Sequence, residues 1–362
     1  MSKKPKNPEM KTMRNDIDAI DTAMLELLNK RASIAIAIAE VKRRSRIKFH
    51  SPEREREILE RLTALNKGPF PNDALRVIFR EIISASLSLE EPLNVAYFGP
   101  EGTFTHIASI CHFGSFARYT PVESIKSVFD AVEYGEASYG LVPIENSSEG
   151  VVSHTLDMFM DYNLKIAAEV MLEVSHNLLS KSGEKSRIKR IYSHPQALAQ
   201  CRGWLEANLP GIPVLAAVST AKAAEIVAHD DDAAAIASEL AARLYDLKFI
   251  RRHIEDKKNN FTRFLVIAKE SPGRSGSDKT SIMFSVKDRP GALYDILHPF
   301  KEAKISLTKI ESRPSKKRAW EYIFFVDMQG HIEEEKVRKA IDKVRRSCLY
   351  LTHLGSYPID EK

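Results

Sequence analysis

Cysteine is scarce in this sequence: Cys111, Cys201 and Cys348 stand far apart and form no CxxC pair. That spacing argues against a disulfide framework or a zinc cluster and leaves three buried thiols as the plain reading. No apolar run approaches the ~20 residues that a membrane span needs. The nearest, residues 32–41, closes on Lys42, Arg43 and Arg44. The lysine-rich start has no apolar core behind it, so no secretory signal is expected and a cytoplasmic location is. Nor is one charge in large surplus. The 54 Lys and Arg stand against 49 Asp and Glu, a net +5 that is too mixed to mark a nucleic-acid surface but suits a small anionic ligand. Internal repeats and long low-complexity tracts are also missing. What remains is a chain of 362 residues, 43% hydrophobic and 28% charged, with the composition of a soluble globular protein of two or three compact units.

Three textures follow one another. Up to residue 91 the pattern is helical, with Ile17, Ile20, Met24, Leu27 and Leu28 spaced by three and four. A first helix is predicted over 12–44, and a second after Ser51, which caps it with Pro52 at the first helical position. A third follows the breaker at 68–73. A rod of some thirty residues, roughly 45 Å long, outruns one small bundle and calls for a partner chain. From 93 to 270 strands and helices alternate, through segments 95–98, 124–134, 139–143, 190–192, 196–205, 233–237 and 264–268. This predicts two α/β lobes with a ligand cleft between them. After a polar linker, 279–358 reads as strand, helix, strand, strand, helix, strand, the α+β ferredoxin-like order.

In the helical segment Arg14, Arg31, Lys42 and Arg54 are either a solvated face or an anion site. Arg31 and Lys42 are eleven residues apart, close to three whole turns, so they share a face about 16 Å apart and can reach a dianion between them. Arg14 lies about 25 Å from Arg31 along the same rod, out of reach of its own chain's site but available to a partner's. Together with the Arg54-Glu55 pair and the Ser86 to Glu90 helix end, this set resembles the all-α chorismate mutases, which are intertwined helical dimers. The resemblance implies a pericyclic rearrangement of chorismate to prephenate that needs charge and shape, with no nucleophile or general base. It implies Arg14, Arg31 and Arg54 as carboxylate clamps, Lys42 and Glu90 at the ether oxygen, Glu55 on the hydroxyl, and Ser86 as a secondary polar contact. Where that family often has Asp ahead of the Arg-Glu pair this chain has Ser51, and where some members have Gln it has Glu90. A carboxyl at position 90 donates a hydrogen bond only when protonated, which requires burial to raise its pKa.

In the middle segment, polar clusters fall at the ends of predicted strands: 99–105, 143–148, Ser219-Thr220 and 262–264. Singly they are turns and N-caps; together they offer hydroxyls and helix N-termini to a carboxylate-bearing ligand. The ordered set Gly-Pro-Glu-Gly-Thr-Phe (99–104), Val-Pro-Ile-Glu-Asn-Ser (142–147), Ser-His-Pro-Gln (193–196) and Asn-Phe-Thr-Arg-Phe (260–264) resembles prephenate dehydratases. That resemblance implies a two-lobed, periplasmic-binding-protein-like domain that converts prephenate to phenylpyruvate, carbon dioxide and water. It makes Thr262 the catalytic residue, assisting departure of the ring hydroxyl, with Arg263 organising the site and Glu145 an alternative acid if buried. Asn146, Ser147, Gln200, Ser219 and Thr220 are candidates for the carboxylates and keto group, and Thr103, Ser193, His194 and Phe264 complete the expected lining.

In the last segment Gly291, Ala292 and Leu293, with Glu311, Ser312, Arg313 and Pro314, resemble the two motifs of an amino-acid-binding ACT domain, which implies a phenylalanine pocket at a dimer interface. The three resemblances in this order are those of the bifunctional P-proteins of phenylalanine biosynthesis. They imply a homodimer or higher oligomer acting on chorismate and prephenate, with phenylalanine as allosteric effector, no metal or organic cofactor, no nucleic acid and no membrane. The competing readings are a dehydratase with an inactive mutase, or a phenylalanine sensor whose sites have decayed. Retention of Arg31, Lys42, Glu145 and Thr262 argues against the sensor.

Overall fold

The computed structural model describes residues 8–45, 51–287, 289–315 and 322–360. The chain forms two compact units, residues 1–93 with 113–117, and residues 94–112 with 118–362. The first unit is helical: α1 (Pro8–Ser45), α2 (Pro52–Leu65) and α3 (Asn72–Glu90), with α3 packed on both others. Ser51 caps α2, its Oγ accepting from the Arg54 N–H at 3.3 Å. α1 runs unbroken for 38 residues, and most of its apolar side chains, Met13, Ile17, Ile20, Met24, Leu27 and Ile34 among them, remain exposed.

The second unit begins with β1 (Asn94–Phe98), α4 (Phe104–Phe113), β2 (Arg118–Val122), α5 (Ile125–Glu133), β3 (Tyr139–Asn146), β4 (Gly150–Val151), α6 (Ser153–Asp161) and β5 (Lys165–Glu173). The chain then crosses into a second α/β lobe made of β6 (Asn177–Ser180), β7 (Arg190–Ser193), α7 (Pro195–Gln200), α8 (Arg202–Asn208), β8 (Val214–Ala216), α9 (Thr220–Val227), β9 (Ala233–Ala237), α10 (Glu239–Leu244) and β10 (Lys248–Arg251). It returns to the first lobe as β11 (Phe261–Ala268). The first sheet has the order β2-β1-β3-β11-β5 with β4 on β3, and the second β10-β6-β9-β7-β8. The two crossings, residues 174–176 and 252–260, run side by side: the Val174 N–H donates to Asn260 O at 2.7 Å and the Ile254 N–H to His176 O at 2.9 Å.

Two sequence expectations change here. Of the three thiols expected to be buried only Cys201 is; Cys348 is half-buried and Cys111 exposed. The single helix predicted over 196–205 is two, α7 and α8, meeting at Cys201. Asp256, far along the chain, accepts from the Gly203 and Trp204 N–H groups at 2.8 Å each, so its carboxylate starts a new helix where the local pattern continues the old one.

The unit ends with β12 (Asp278–Ser285), α11 (Ala292–Glu302), β13 (Leu307–Pro314), β14 (Tyr322–Gln329), α12 (Glu335–Ser347) and β15 (Tyr350–Pro358). Its antiparallel sheet has the order β13-β14-β12-β15, the ferredoxin-like arrangement. Ile282, Phe284, Val326 and Met328 face α11 and α12 in one core, while Met283, Ile323, Phe325 and Leu354 of the other face join the core of the first lobe. Strand alternation thus buries this sheet on both sides. No helix among the described residues is long and apolar enough to cross a membrane.

Candidate active sites

In the helical unit α1 and α3 bring Arg31, Lys42, Ser86 and Glu90 together. The Arg31 guanidinium donates to Ser86 Oγ and to Ile82 O, the latter at 3.4 Å. Lys42 Nζ lies 3.6 Å from Glu90 Oε2. That oxygen is buried and has no hydrogen-bond partner among the described residues. Burial pushes the Glu90 carboxyl above its ordinary pKa, opposed by Lys42 and, more weakly, by Arg31 and Arg43. Burial also lowers the Arg31 guanidinium, with Glu90 opposing. The other expected residues stand elsewhere in this single chain. Arg14 is exposed on α1, Arg54 pairs with Glu57 at 2.8 Å on the solvent side of α2, and Glu55 and Ser51 are half-buried on or beside that helix. Ser51 Oγ also donates to Glu53 at 2.9 Å.

In the second unit a cavity of about 700 Å³ opens between the two α/β lobes. Thr103, Asn146, His194, Gln200, Ser219, Thr220, Thr262 and Phe264, all expected from the sequence, line it. The N-terminal residues of α4 and α9 open onto it, which places helix-dipole positive ends and backbone N–H groups at its wall. None of the described lining residues is Lys or Arg. An anion here would therefore be held by dipoles, hydroxyls, amides and the His194 imidazole. The lobes also touch directly: buried Ser238, which caps α10, donates to Gly102 O at 2.7 Å. Gly102 has φ of 80° and lies so close to Ala241 that a side chain there would crowd α10.

The hydrogen bonds at the cavity floor fix which groups can donate. Asn146 Nδ2 donates to Thr262 Oγ1 at 2.8 Å and to Asn260 Oδ1 at 2.9 Å, while Asn146 Oδ1 accepts from the N–H groups of Ser148 and Glu149. Both amide hydrogens of Asn146 are thus used, and Thr262, accepting one of them, keeps its own hydrogen to donate into the cavity. Asn260 Nδ2 donates to Gln200 Oε1 at 3.3 Å, and His176 Nε2 lies 2.8 Å from that same acceptor. His176 therefore carries its proton on Nε2, and its buried Nδ1 and the buried Gln200 Nε2 have no hydrogen-bond partner among the described residues. Burial holds the His176 imidazole below its ordinary pKa, against Gln200 and Glu255. His176 was not singled out from sequence, and Asn260 appeared there only as the first residue of the 260–264 motif, with no role of its own. The one signal for His176 is that a polar residue sits where the chain crosses between lobes.

Four expected lining residues lie off the cavity. Thr262 and Phe264 point into it, so strand alternation sends Arg263 to the opposite face of β11, where it pairs with Glu169 and Asp327. Glu145 follows the same rule on β3: beside Asn146 but on the other face, it is partly exposed and ion-paired to Lys309 at 2.8 Å. A buried acid at position 145 is not what the structure contains. Ser147 accepts from the Phe261 N–H at 2.9 Å and donates to Asn260, bracing the floor from outside. Ser193, fully buried, donates to Ile236 O at 2.7 Å and ties β7 to β9.

In the C-terminal domain Gly291, with φ of 79°, starts α11, followed by Ala292 and Leu293. Glu311, Ser312, Arg313 and Pro314 lie on β13, an edge strand. Ser312 and Pro314 are exposed, whereas Arg313 turns to α6 and donates to Asp157 at 3.1 and 3.3 Å. Arg313 is therefore committed within its own chain.

Residues 13–91 match the family described as chorismate mutase type II, residues 95–272 prephenate dehydratase, and residues 280–346 the ACT domain. A bifunctional chorismate mutase/prephenate dehydratase from Aquifex aeolicus is 53% identical over 354 residues, covering 97% of this chain and 98% of the relative. One from Pseudomonas aeruginosa is 44% identical over 97% of this chain and 98% of its own length. Among solved structures, prephenate dehydratase from Arthrobacter aurescens in complex with L-Phe is 34% identical, with a TM-score of 0.69 over 74% of this chain and 90% of that one.

Proposed function

Since the chain belongs to the bifunctional chorismate mutase/prephenate dehydratases, we propose how its residues divide the two reactions. The enzyme rearranges chorismate to prephenate and converts prephenate to phenylpyruvate, two steps of phenylalanine biosynthesis. We assign the first to a mutase domain, 1–91, the second to a dehydratase domain, 93–270, and regulation to an ACT domain, 279–358.

In the mutase, Arg31 grips a substrate carboxylate and Lys42 stabilises the negative charge that grows on the ether oxygen as its bond breaks. Glu90, protonated, donates to the same oxygen, and its buried Oε2, 3.6 Å from Lys42 and without a hydrogen bond among the described residues, supports that role. Arg14 and Arg54 complete the carboxylate clamp, Arg14 from a second copy of the chain, with Glu55 at the hydroxyl. In the dehydratase, the two lobes act as a binding-protein-like clamp around prephenate. Loss of the ring carboxylate as carbon dioxide releases an electron pair that aromatises the ring and expels the ring hydroxyl, which takes up a proton and leaves as water. Thr262 donates a hydrogen bond to that departing oxygen, the proton itself coming from solvent, since a neutral threonine is too weak an acid to supply it. Gln200, Ser219, Thr220 and the N-terminus of α9 hold the carboxylates and keto group. The observation that carries this reading is the Thr262 hydroxyl, fixed by Asn146 with its hydrogen free to point into the cavity.

The pH dependence of the two turnovers, measured separately on chorismate and on prephenate, tests the division. A raised carboxyl pKa keeps Glu90 a donor at low pH, and the donor is lost as pH rises through that pKa, so mutase activity falls toward alkaline pH. Glu90→Gln, a donor at every pH, flattens the mutase profile and leaves prephenate turnover unchanged. A wild-type mutase profile that is already flat refutes the role of Glu90.

We further infer a homodimer or larger assembly in the cytoplasm, with phenylalanine bound at the ACT motifs 291–293 and 311–314. The exposed apolar row on α1 supports the assembly, because an apolar stripe of that length is stable in water only when covered. Mass in solution, with and without L-phenylalanine, is expected to be at least twice the 40.8 kDa of one chain. A monomer at micromolar concentration refutes it.

A further inference from the structure

Arg263 leaves β11 on the face away from the cavity, and only 8% of it is exposed. Three of its N–H groups are taken by three different strands. Nε donates to Glu169 of β5 at 2.8 Å, Nη1 to Asp327 of β14 at 2.7 Å, and Nη2 to the Tyr357 hydroxyl of β15 at 3.0 Å. A fourth strand, β12, closes the network: Lys279 donates to Glu169 at 2.7 and 2.8 Å, and Ser281 to Asp327 at 2.5 Å. Across the β3–β11 register Thr262 pairs with Asn146 and Arg263 with Glu145. Glu145 in turn accepts from Lys309 of β13. Each strand that offers a polar group to the cavity floor is therefore held from behind, one residue along, by the C-terminal sheet.

We propose that Arg263 is a positioning residue: anchored by Asp327 and Tyr357 of the C-terminal domain, it sets the placement of Thr262, so the C-terminal sheet is a working part of the dehydratase site. The proposal rests on the reading of Thr262 as the donor to the departing hydroxyl. A planar fork satisfied in three directions fixes the backbone it grows from, and the neighbouring residue inherits that placement. Lysine at this position keeps the charge but not the fork. A misplacement of about 1 Å at a reacting centre lowers a rate by about 10²-fold.

The test measures kcat and KM for prephenate in the full-length enzyme carrying Arg263→Gln, Arg263→Lys, Asp327→Asn or Tyr357→Phe, and in Thr262→Ala with and without Asp327→Asn. Asp327 and Tyr357 do not line the cavity. Arg263→Gln and Asp327→Asn are each expected to lower kcat by about 10-fold or more with KM within about twofold, with Arg263→Lys intermediate. In the Thr262→Ala background Asp327→Asn is expected to add nothing, because its effect passes through the missing hydroxyl. Tyr357→Phe, which removes one oxygen, carries the same expectation in smaller measure if the Arg263 variants do not fold. Three results would overturn the proposal: a raised KM at unchanged kcat in Arg263→Gln, full wild-type kcat in both Asp327→Asn and Tyr357→Phe, or losses that multiply in the Thr262→Ala background. If Thr262→Ala itself keeps prephenate turnover, it is the reading of Thr262 that fails, whatever the other variants do.

Discussion

Thr262→Ala is expected to lower prephenate turnover by about 10²–10³-fold while chorismate turnover stays at the wild-type level. The size follows from the role. A fixed donor aimed at an oxygen that gains charge only as its bond breaks contributes to the transition state and little to the bound substrate, so kcat falls and KM moves little. Thr262→Ser keeps the hydroxyl and the hydrogen bond from Asn146, and should retain most of the activity. The substitution removes a residue that is 8% exposed on a cavity wall, where truncation leaves room for water, so the fold should tolerate it. Assays with each substrate supplied separately check the prediction, and a Thr262→Ala enzyme that still makes phenylpyruvate at the normal rate rejects it.

Arg31→Ala is expected to do the reverse, lowering chorismate turnover by about 10²–10³-fold and sparing prephenate turnover. Arg31 is half-buried and oriented by Ser86 and the Ile82 carbonyl. Its remaining N–H groups are therefore aimed in advance of binding, and a partly desolvated guanidinium interacts with a carboxylate more strongly than an exposed one. Arg31→Lys should recover only part of the loss, because an ammonium cannot reproduce the two parallel hydrogen bonds. If both activities fall together in a normally folded Arg31→Ala protein, the assignment of two separate sites is wrong.

Much of this arrangement is legible residue by residue. The three-and-four spacing of Ile17, Ile20, Met24, Leu27 and Leu28 announces α1, and Ser51-Pro52 announces the start of α2, because capping and periodicity act within a turn of chain. The eleven-residue spacing of Arg31 and Lys42 places both on the face of α1 that meets Ser86 and Glu90. The motifs at 99–104, 142–147 and 260–264 each deliver at least one group to the cavity wall. They could not say which one. Thr262 and Arg263 are neighbours in one motif, yet β11 sends one to the cavity and the other to the C-terminal sheet. Glu145 and Asn146 divide in the same way on β3.

The helix break at Cys201 was hidden for a related reason, since the carboxylate that caps α8 arrives from Asp256. His176 was hidden because it sits in a crossing with no regular pattern around it, and the part played by Asn260, though it opens the 260–264 motif, was hidden because the two meet at Gln200 only when the lobes are assembled. By itself, the order of residues determined the order of elements, the places where each helix starts and the short polar runs that chemistry requires. Those depend on forces between residues a few positions apart. Tertiary structure alone decided which face of each strand became the cavity and which became the anchor for the C-terminal domain. Alternation along a strand is symmetric until distant strands pack against one side of it and leave the other open.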